Sequence, residues 1–500
     1  MQKKSFFKST LVLTVAGLFL RGTQTGFSVW LANRIGAQGM GLFQLACSVY
    51  MLAVTLSTSG ITIAVTRIVS EQQAKNEPAG IKKAFWLGFC TSLFLGITAA
   101  LLLFFCADWA AINWLGEPRT APLLKVFSLC IPFLSTAAVI RGYFLGLRRA
   151  ALSVSGDVVE QIIGIAATVW LLSLCTPGDL TSACMALAVG SVLSEILSCI
   201  YAFCSFWVTR PKTNKKAPRG ISRQMGTIVL PIAAGNNIRS VLSSIENSLV
   251  PSGLKQYGAQ HTQALAQYGM VKGMVLPLLT FPAVLLSPIA SLLVPEVSAA
   301  AAVHNKKRVL YMTKRCLRLT FWYAFGIMGI MLLFADEIGV FFFQSTQVSG
   351  YLRAAAPLIP LLYVDQIVDG ILKGLNQQVA SMKYNTADAL MRVALVFFLV
   401  PLFGMNGYLF MLYAGTIFNA SMSALQLIRV IKLRIDLVRF ILLPLFVCFL
   451  SCLCTRLLIH TSFLIGILFC LFVYISLLFL FGCISKTDRL LFRKKNQKFF

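Results

Sequence analysis

Apolar residues run through this chain in long blocks separated by short polar breaks. About fourteen of these blocks are long enough to cross a hydrocarbon core of roughly 30 Å as helices. They cover residues 10–32, 41–66, 84–106, 122–145, 156–175, 181–206, 225–250, 266–294, 316–335, 352–373, 384–402, 406–430, 438–459 and 463–483. The pattern predicts an all-α integral membrane protein. The first block is longer than the apolar core of a secretory leader and carries an arginine, so it is expected to be a retained helix.

The breaks differ sharply in charge. Alternate breaks carry Lys3, Lys4 and Lys8, then Arg67 to Lys83, Arg148 and Arg149, Arg210 to Arg223, Lys306 to Arg318, Lys373 and Lys383, Arg429 to Arg439, and a tail from Lys486 to Lys498. These loops hold 33 of the 44 basic residues. The opposite loops hold only Arg34, Arg119, Lys125, Lys255, Arg353 and Arg456. The positive-inside rule then predicts a multi-pass membrane protein with both termini in the cytoplasm.

Composition agrees, at 58% hydrophobic and 12% charged. A net charge of +27 would suggest nucleic acid in a soluble protein. Here the basic residues lie between apolar blocks, so orientation and anionic membrane lipids account for them, and nucleic acid is not an expected partner. Fourteen cysteines are scattered mainly through the blocks without paired CxxC sets, which argues against a metal site or a disulfide scaffold. Cys175 and Cys184 could meet on the outer side; small buried thiols are the alternative.

The longest polar break divides the chain into a six-helix bundle over 1–208, a basic cytoplasmic linker over 209–224, and a second six-helix bundle over 225–430. Two appended helices over 431–483 and a basic cytoplasmic tail over 484–500 follow. An internal repeat supports the division. At an offset of 228, Gly142 matches Gly370, Gly146 and Leu147 match Gly374 and Leu375, Ser153 matches Ser381, and Glu160 matches Asp388. An offset of 225 aligns Val69, Glu71, Ala74, Lys82 and Lys83 with Val294, Glu296, Ala299, Lys307 and Arg308. The shift equals six blocks, an even number, so the two halves share one orientation. Two pseudo-symmetric bundles around a central cavity are a transporter architecture.

Charged residues inside the blocks carry the candidate chemistry. Arg21 lies near mid-membrane, where a charge costs roughly 2.5–3.5 kcal/mol and should face protein or a water-filled cavity. Arg239 and Glu246 are seven residues apart on roughly one helix face, with Asn236, Asn237 and Asn247 beside them. They read either as a cavity surface or as an internal ion pair. Lys272 follows among Gly269, Gly273, Pro277, Pro282 and Pro288, which allow close approach and bends; it lines the cavity or snorkels to the interface. Arg21, Arg239 and Lys272 together suit an anionic, phosphate-bearing substrate, since arginine forks two donors onto phosphate oxygens.

Acidic residues suggest supporting or ion-coupling roles. Asp365, Asp369 and Lys373 form an i, i+4, i+8 stripe, either an ion-coupling site or a solvated vestibule paired through Lys373. Asp388 and Arg392, four apart, are expected to pair with each other. Glu160 and Glu195 are acids with no partner evident from the sequence. No GxxxxGK[ST] motif occurs, so P-loop ATP hydrolysis is excluded. His261, His304 and His460 are far apart and suggest neither a metal centre nor a catalytic base. No loop exceeds about twenty residues, too little for a membrane enzyme's polar site. The chain reads as a transporter rather than an enzyme, without a cofactor, and its sequence leaves coupling to membrane potential or a cation open.

Particular segments carry a family resemblance. Residues Arg34 to Gln44 (RIGAQGMGLFQ) resemble the first outer loop of stage V sporulation protein B-type polysaccharide exporters. Gly60 to Val65 and Val69 to Ala74 are similar to the end of their second span, with Thr62 where those proteins commonly carry proline. Tyr268 to Pro277 and Leu293 to Glu296 resemble their second half. The resemblance implies the multidrug/oligosaccharidyl-lipid/polysaccharide exporter (MOP, MATE-like) fold. It also implies outward flipping of a lipid-linked, pyrophosphate-bearing oligosaccharide or peptidoglycan-type precursor, in spore or vegetative wall synthesis, with envelope-synthesis enzymes as possible partners. Lipid II flippases carry an Arg-Asp pair after the first-span arginine; this chain has Thr25-Gly26-Phe27 there. The alternatives are a cation-coupled drug exporter of the same superfamily and a membrane glycosyltransferase or assembly scaffold.

Overall fold

A computed structural model describes residues 2–176, 179–210, 218, 220–303, 305–432, 436–458 and 463–481. The basic linker at 211–217, His304, Arg434, His460 and the tail from 482 lie outside the described residues. Everything described is helix or short connection, with no strand. The α-helices are α1 (Gln2–Thr58), α2 (Ile61–Ala74), α3 (Pro78–Trp109), α4 (Ala121–Ser128), α5 (Ile131–Gly146), α6 (Ala150–Leu174), α7 (Leu180–Thr209), α8 (Ile221–Gln256) and α9 (His261–Gly269). They continue with α10 (Leu276–Thr280), α11 (Ser287–Ala302), α12 (Lys306–Leu333), α13 (Ala335–Phe343), α14 (Thr346–Ala355), α15 (Ile359–Gly374), α16 (Gln378–Ile431), α17 (Leu443–Leu458) and α18 (Phe463–Leu480).

Eleven helical segments among the described residues are long and apolar enough to cross a membrane, or twelve if the bent pair Pro118–Ser128 and Ile131–Gly146 counts as one. Two helices are far longer than one crossing needs, α1 at 57 residues and α16 at 54. Each turns at a glycine in a conformation hostile to other residues, Gly36 at φ 71° and Gly404 at φ 58°.

The chain divides into two compact units. Unit 1 comprises residues 1–273 and 389–408; unit 2 comprises 274–388 and 409–500. Inside unit 1, Phe85 stacks on Phe206 at 3.8 Å and packs with Tyr143, Ile61, Val65 and Ile68. Lipid gives apolar packing no hydrophobic advantage, so close approach and interhelical hydrogen bonds must hold such helices together. Ser92 and Ser135 accordingly exchange bonds across α3 and α5, Ser92 Oγ donating to Ser135 O at 2.9 Å and Ser135 Oγ to Ser92 O at 3.2 Å.

Inside unit 2, the chain leaves α-helical spacing at the 3₁₀ segment Phe281–Leu285. Two tyrosines satisfy carbonyls there, Tyr363 Oη at 2.8 Å from Leu279 O and Tyr323 Oη at 2.7 Å from Pro282 O. The helices α17 and α18 dock on α12, where Tyr474 Oη donates to Trp322 O at 2.8 Å and Cys448 Sγ to Phe325 O at 3.1 Å.

The repeat has a physical basis. A Cβ on Gly142 or Gly146 of α5 would come within 2.8 Å of the carbonyls of Thr62 and Thr66 on α2. A Cβ on Gly370 or Gly374 of α15 would come within 3.0 and 2.8 Å of those of Ala290 and Val294 on α11. All four contacts are related by the same offset of 228. The two glycine pairs mark one backbone crossing that occurs in both units.

Candidate functional site

The three cations expected to bind substrate all lie in unit 1, on segments anchored to α1. Gln161 of α6 donates its amide to Leu20 O at 2.8 Å and Thr23 Oγ1 at 2.6 Å, fixing the turn that carries Arg21. Ser240, beside Arg239 on α8, donates to Thr55 Oγ1 of α1 at 3.2 Å. Lys272 sits in a π-helical stretch, Met270–Val275, whose Gly273 lies against Met40 and Gln44 of α1. Such π-bulges are frequent at functional sites. The crossing below it is tight: a Cβ on Gly269 would lie 2.1 Å from Ala37 O, and one on Gly41 2.1 Å from Leu265 O. That closeness explains Gly41 of the RIGAQGMG segment, whereas Gly36 answers to its positive φ and a Cβ on Gly39 would crowd Ile35 and Leu180.

Arg21 and Arg239 are exposed and Lys272 is half-buried. None of the three forms an ion pair or hydrogen bond among the described residues. Helix α8, which carries Arg239, is both the least buried and the least apolar of the eleven candidate spans. A poorly apolar helix left uncovered suits a water-filled space better than lipid.

Glu246 does not pair with Arg239. It is buried, at 8% exposure, among the fully buried Tyr268 and Tyr408. The internal ion pair considered from the sequence is therefore absent among the described residues. In unit 2, Asp369 pairs with Lys373 at 2.6 Å and accepts from Ser381 Oγ at 2.5 Å, while Asp365 accepts from Asn419 Nδ2 at 2.9 Å. The vestibule reading of that stripe fits these bonds. Asp388 is buried and Arg392 half-buried, and both are engaged in interactions.

Sequence reasoning missed Arg141. It bridges α5 to α6, with Nη1 2.9 Å from both Asp157 Oδ1 and Glu160 Oε2. Glu160 therefore has a partner. Glu195 of α7, 6% exposed, faces the same cluster, and its Oε2 accepts no hydrogen bond among the described residues. The signal was available: removing the loop residues leaves five basic residues inside apolar blocks, and Arg141 is one of them.

A second unforeseen cluster closes one end of unit 1. Glu117, buried between α3 and α4, holds Arg119 at 2.7 and 3.0 Å and contacts His261 Nε2 at the start of α9. Lys255 Nζ donates to the adjacent Gly116 O at 3.2 Å. Burial pushes the Glu117 carboxyl up, but the bonds and charge of Arg119 and His261 outweigh it and hold the group below its usual range. Two more of the sparse loop cations are paired, Lys125 with Asp108 at 2.7 Å and Arg353 with Asp336 at 2.5 Å. The thirteen described cysteines, Cys175 and Cys184 included, are free thiols. No group of three metal-binding side chains occurs among the described residues.

Residues 6–300 match the family described as "Polysaccharide biosynthesis protein". The chain belongs to that family. It is 25% identical over 446 residues to stage V sporulation protein B of Bacillus subtilis (strain 168), across 87% of this chain and 86% of that protein. Among solved structures, the lipid II flippase MurJ in an inward closed conformation aligns with a TM-score of 0.74 at 14% identity, over 97% of this chain and 100% of that one. An inward-facing multidrug resistance MATE family transporter of the MOP superfamily aligns with a TM-score of 0.66 at 15% identity, over 85% and 98%. The family member therefore has the MOP transporter fold and is a multi-pass membrane protein.

Proposed function

We propose that this protein is a bacterial plasma-membrane flippase that moves a lipid-linked, pyrophosphate-bearing glycan precursor outward by alternating access. The observation that carries the reading is the set of three cations without acidic partners, Arg21, Arg239 and Lys272, within membrane-crossing segments of unit 1. A charge is costly to insert at that depth, and no acid among the described residues offsets these three. A pyrophosphate would supply the missing counter-charge, and the two arginines would fork onto its oxygens. Family membership and the resemblance to stage V sporulation protein B support a carbohydrate-linked lipid over a cationic drug, which would need acids in these positions. Turnover requires that the two access states bind the precursor with different affinity, since equal binding shifts nothing.

The architecture we infer has fourteen spans: the twelve counted above, with α1 and α16 each supplying two by turning at Gly36 and Gly404. They form two six-helix bundles and two appended helices, with both termini in the cytoplasm. A reporter fused after Phe500 and found outside would refute that orientation. The functional test is purified protein in vesicles given a fluorescent undecaprenyl-diphosphate-linked sugar. Translocation without sugar transfer is the expected result. Drug efflux without lipid movement would indicate an exporter of the MATE type, and glycosyl transfer an enzyme.

A further inference from the structure

At one end of unit 1, a cavity of about 210 Å³ opens between α1, α6 and α7. Its walls include the apolar Ile35 and Leu172, both largely buried, and its polar lining includes Arg34 and Asp179. The two charges do not close on each other: no Arg34–Asp179 ion pair exists, and Arg34 makes no hydrogen bond among the described residues. Asp179 uses Oδ1 to cap α7, accepting from Thr181 N at 3.0 Å and Ser182 N at 3.3 Å. The backbone N–H and hydroxyl of Ser182, with the Thr181 N–H, hold its carboxyl below the usual range, so it is anionic at neutral pH. Cys175 Sγ, also on the wall, is already committed to the carbonyls of Leu171 and Ser182.

The depth of the cavity is marked by two tryptophans. Trp30, one turn before Arg34 on α1, and Trp170, two residues before Leu172 on α6, are 40% and 61% exposed. Exposed tryptophans of this kind settle at the headgroup level of a bilayer. A pocket at that level is edged by an exposed guanidinium and an exposed carboxylate that do not pair with each other. Its complement is a ligand with an anion and an N–H cation a few bonds apart, attached to an apolar body.

We infer that this cavity binds the phosphoethanolamine headgroup of a phospholipid, with Arg34 on the phosphate and Asp179 on the primary ammonium. The apolar walls meet the glycerol and upper acyl region. Occupancy is independent of the transported substrate, so the proposal stands or falls apart from the flippase reading.

Native mass spectrometry of the full-length protein tests it with three lipids: phosphatidylethanolamine, phosphatidylglycerol and phosphatidylcholine. Soluble phosphoethanolamine and inorganic phosphate serve as competitors. Phosphatidylethanolamine should be retained preferentially, with phosphoethanolamine competing and phosphate competing weakly. Arg34→Gln and Asp179→Asn should each weaken retention roughly tenfold, each removing one charge-assisted contact. Asparagine is itself a good N-cap, so Asp179→Asn keeps α7 folded while removing the charge. Equal retention of all three lipids, or of wild type and both variants, would overturn the assignment. Inorganic phosphate competing as well as phosphoethanolamine would make the pocket a simple anion site and overturn it too.

Discussion

Replacing Arg239 with alanine separates a substrate ligand from a structural residue. The side chain is exposed on α8 and has no ion pair or hydrogen bond among the described residues, so its loss leaves no buried group unsatisfied. The folded protein should change by no more than about 0.5 kcal/mol, as at other exposed sites. A charge-assisted contact to a phosphate contributes about 1.5–3 kcal/mol, which corresponds to roughly ten- to a hundredfold in affinity. Arg239→Ala should therefore lower transport at limiting substrate by that factor while membrane abundance and thermal midpoint stay near wild type. Arg239→Lys should recover part of the loss, because it restores charge but not the planar fork. Glu246→Gln is the counterpart: this buried carboxyl has no ion pair among the described residues, so neutralising it should leave abundance unchanged or raise it whether or not Arg239 is present. The assay pairs vesicle transport with fluorescence-detected chromatography for each variant. If Arg239→Ala lowers abundance and Glu246→Gln restores it, with transport per molecule unchanged, the substrate role is wrong.

Three further outcomes follow from the same geometry. Arg141→Gln should destabilise the protein by about 2–4 kcal/mol, since Asp157, Glu160 and the neighbouring Glu195 lose their one cation; detergent melting should show it, with Glu160→Gln partly restoring the midpoint. Glu117→Gln should cost about 1–3 kcal/mol by orphaning Arg119 and His261. Because the Glu117 carboxyl is held below its ordinary value of 4.5, its contribution is fully present above that pH and is lost as pH falls through the depressed value, so wild type and variant should converge only in strong acid. Gly146→Ala and Gly374→Ala should each cost about 1–3 kcal/mol, because the new methyl meets a backbone carbonyl 2.8 Å away, whereas Gly156→Ala has nothing within 4 Å and should be harmless in a melting assay.

The spans were legible because lipid imposes length and polarity on every crossing, and the repeat was legible because backbone crossings demand glycine at fixed spacing. Gly142, Gly146, Gly370 and Gly374 marked the repeat in the sequence, and the backbone contacts behind it emerged only with the fold. The turns at Gly36 and Gly404 were harder to see, since a glycine in an apolar run does not disclose its φ. Pairings were least legible. Arg141 finds its acids 16 and 19 residues away on the next helix, and Glu117 meets His261 across 144 residues. Those distances are set by packing, which no local spacing encodes. Arg239 and Glu246 show the opposite error: spacing put them on roughly one face, but one side chain is exposed and the other is buried.

The pairing of the sparse loop cations has an electrical consequence. Arg119, Lys125 and Arg353 each bring an acid of their own, so these loops contribute less net charge than their already small basic count implies. On the topology proposed above, the basic loops would lie at the opposite ends of the spans with a large excess of positive charge. A polyanionic headgroup would therefore be concentrated at one surface and find little to detain it at the other. On the proposed flippase reading, capture and discharge would then differ even without any change in the cavity, so loop charge would bias the traffic of anions.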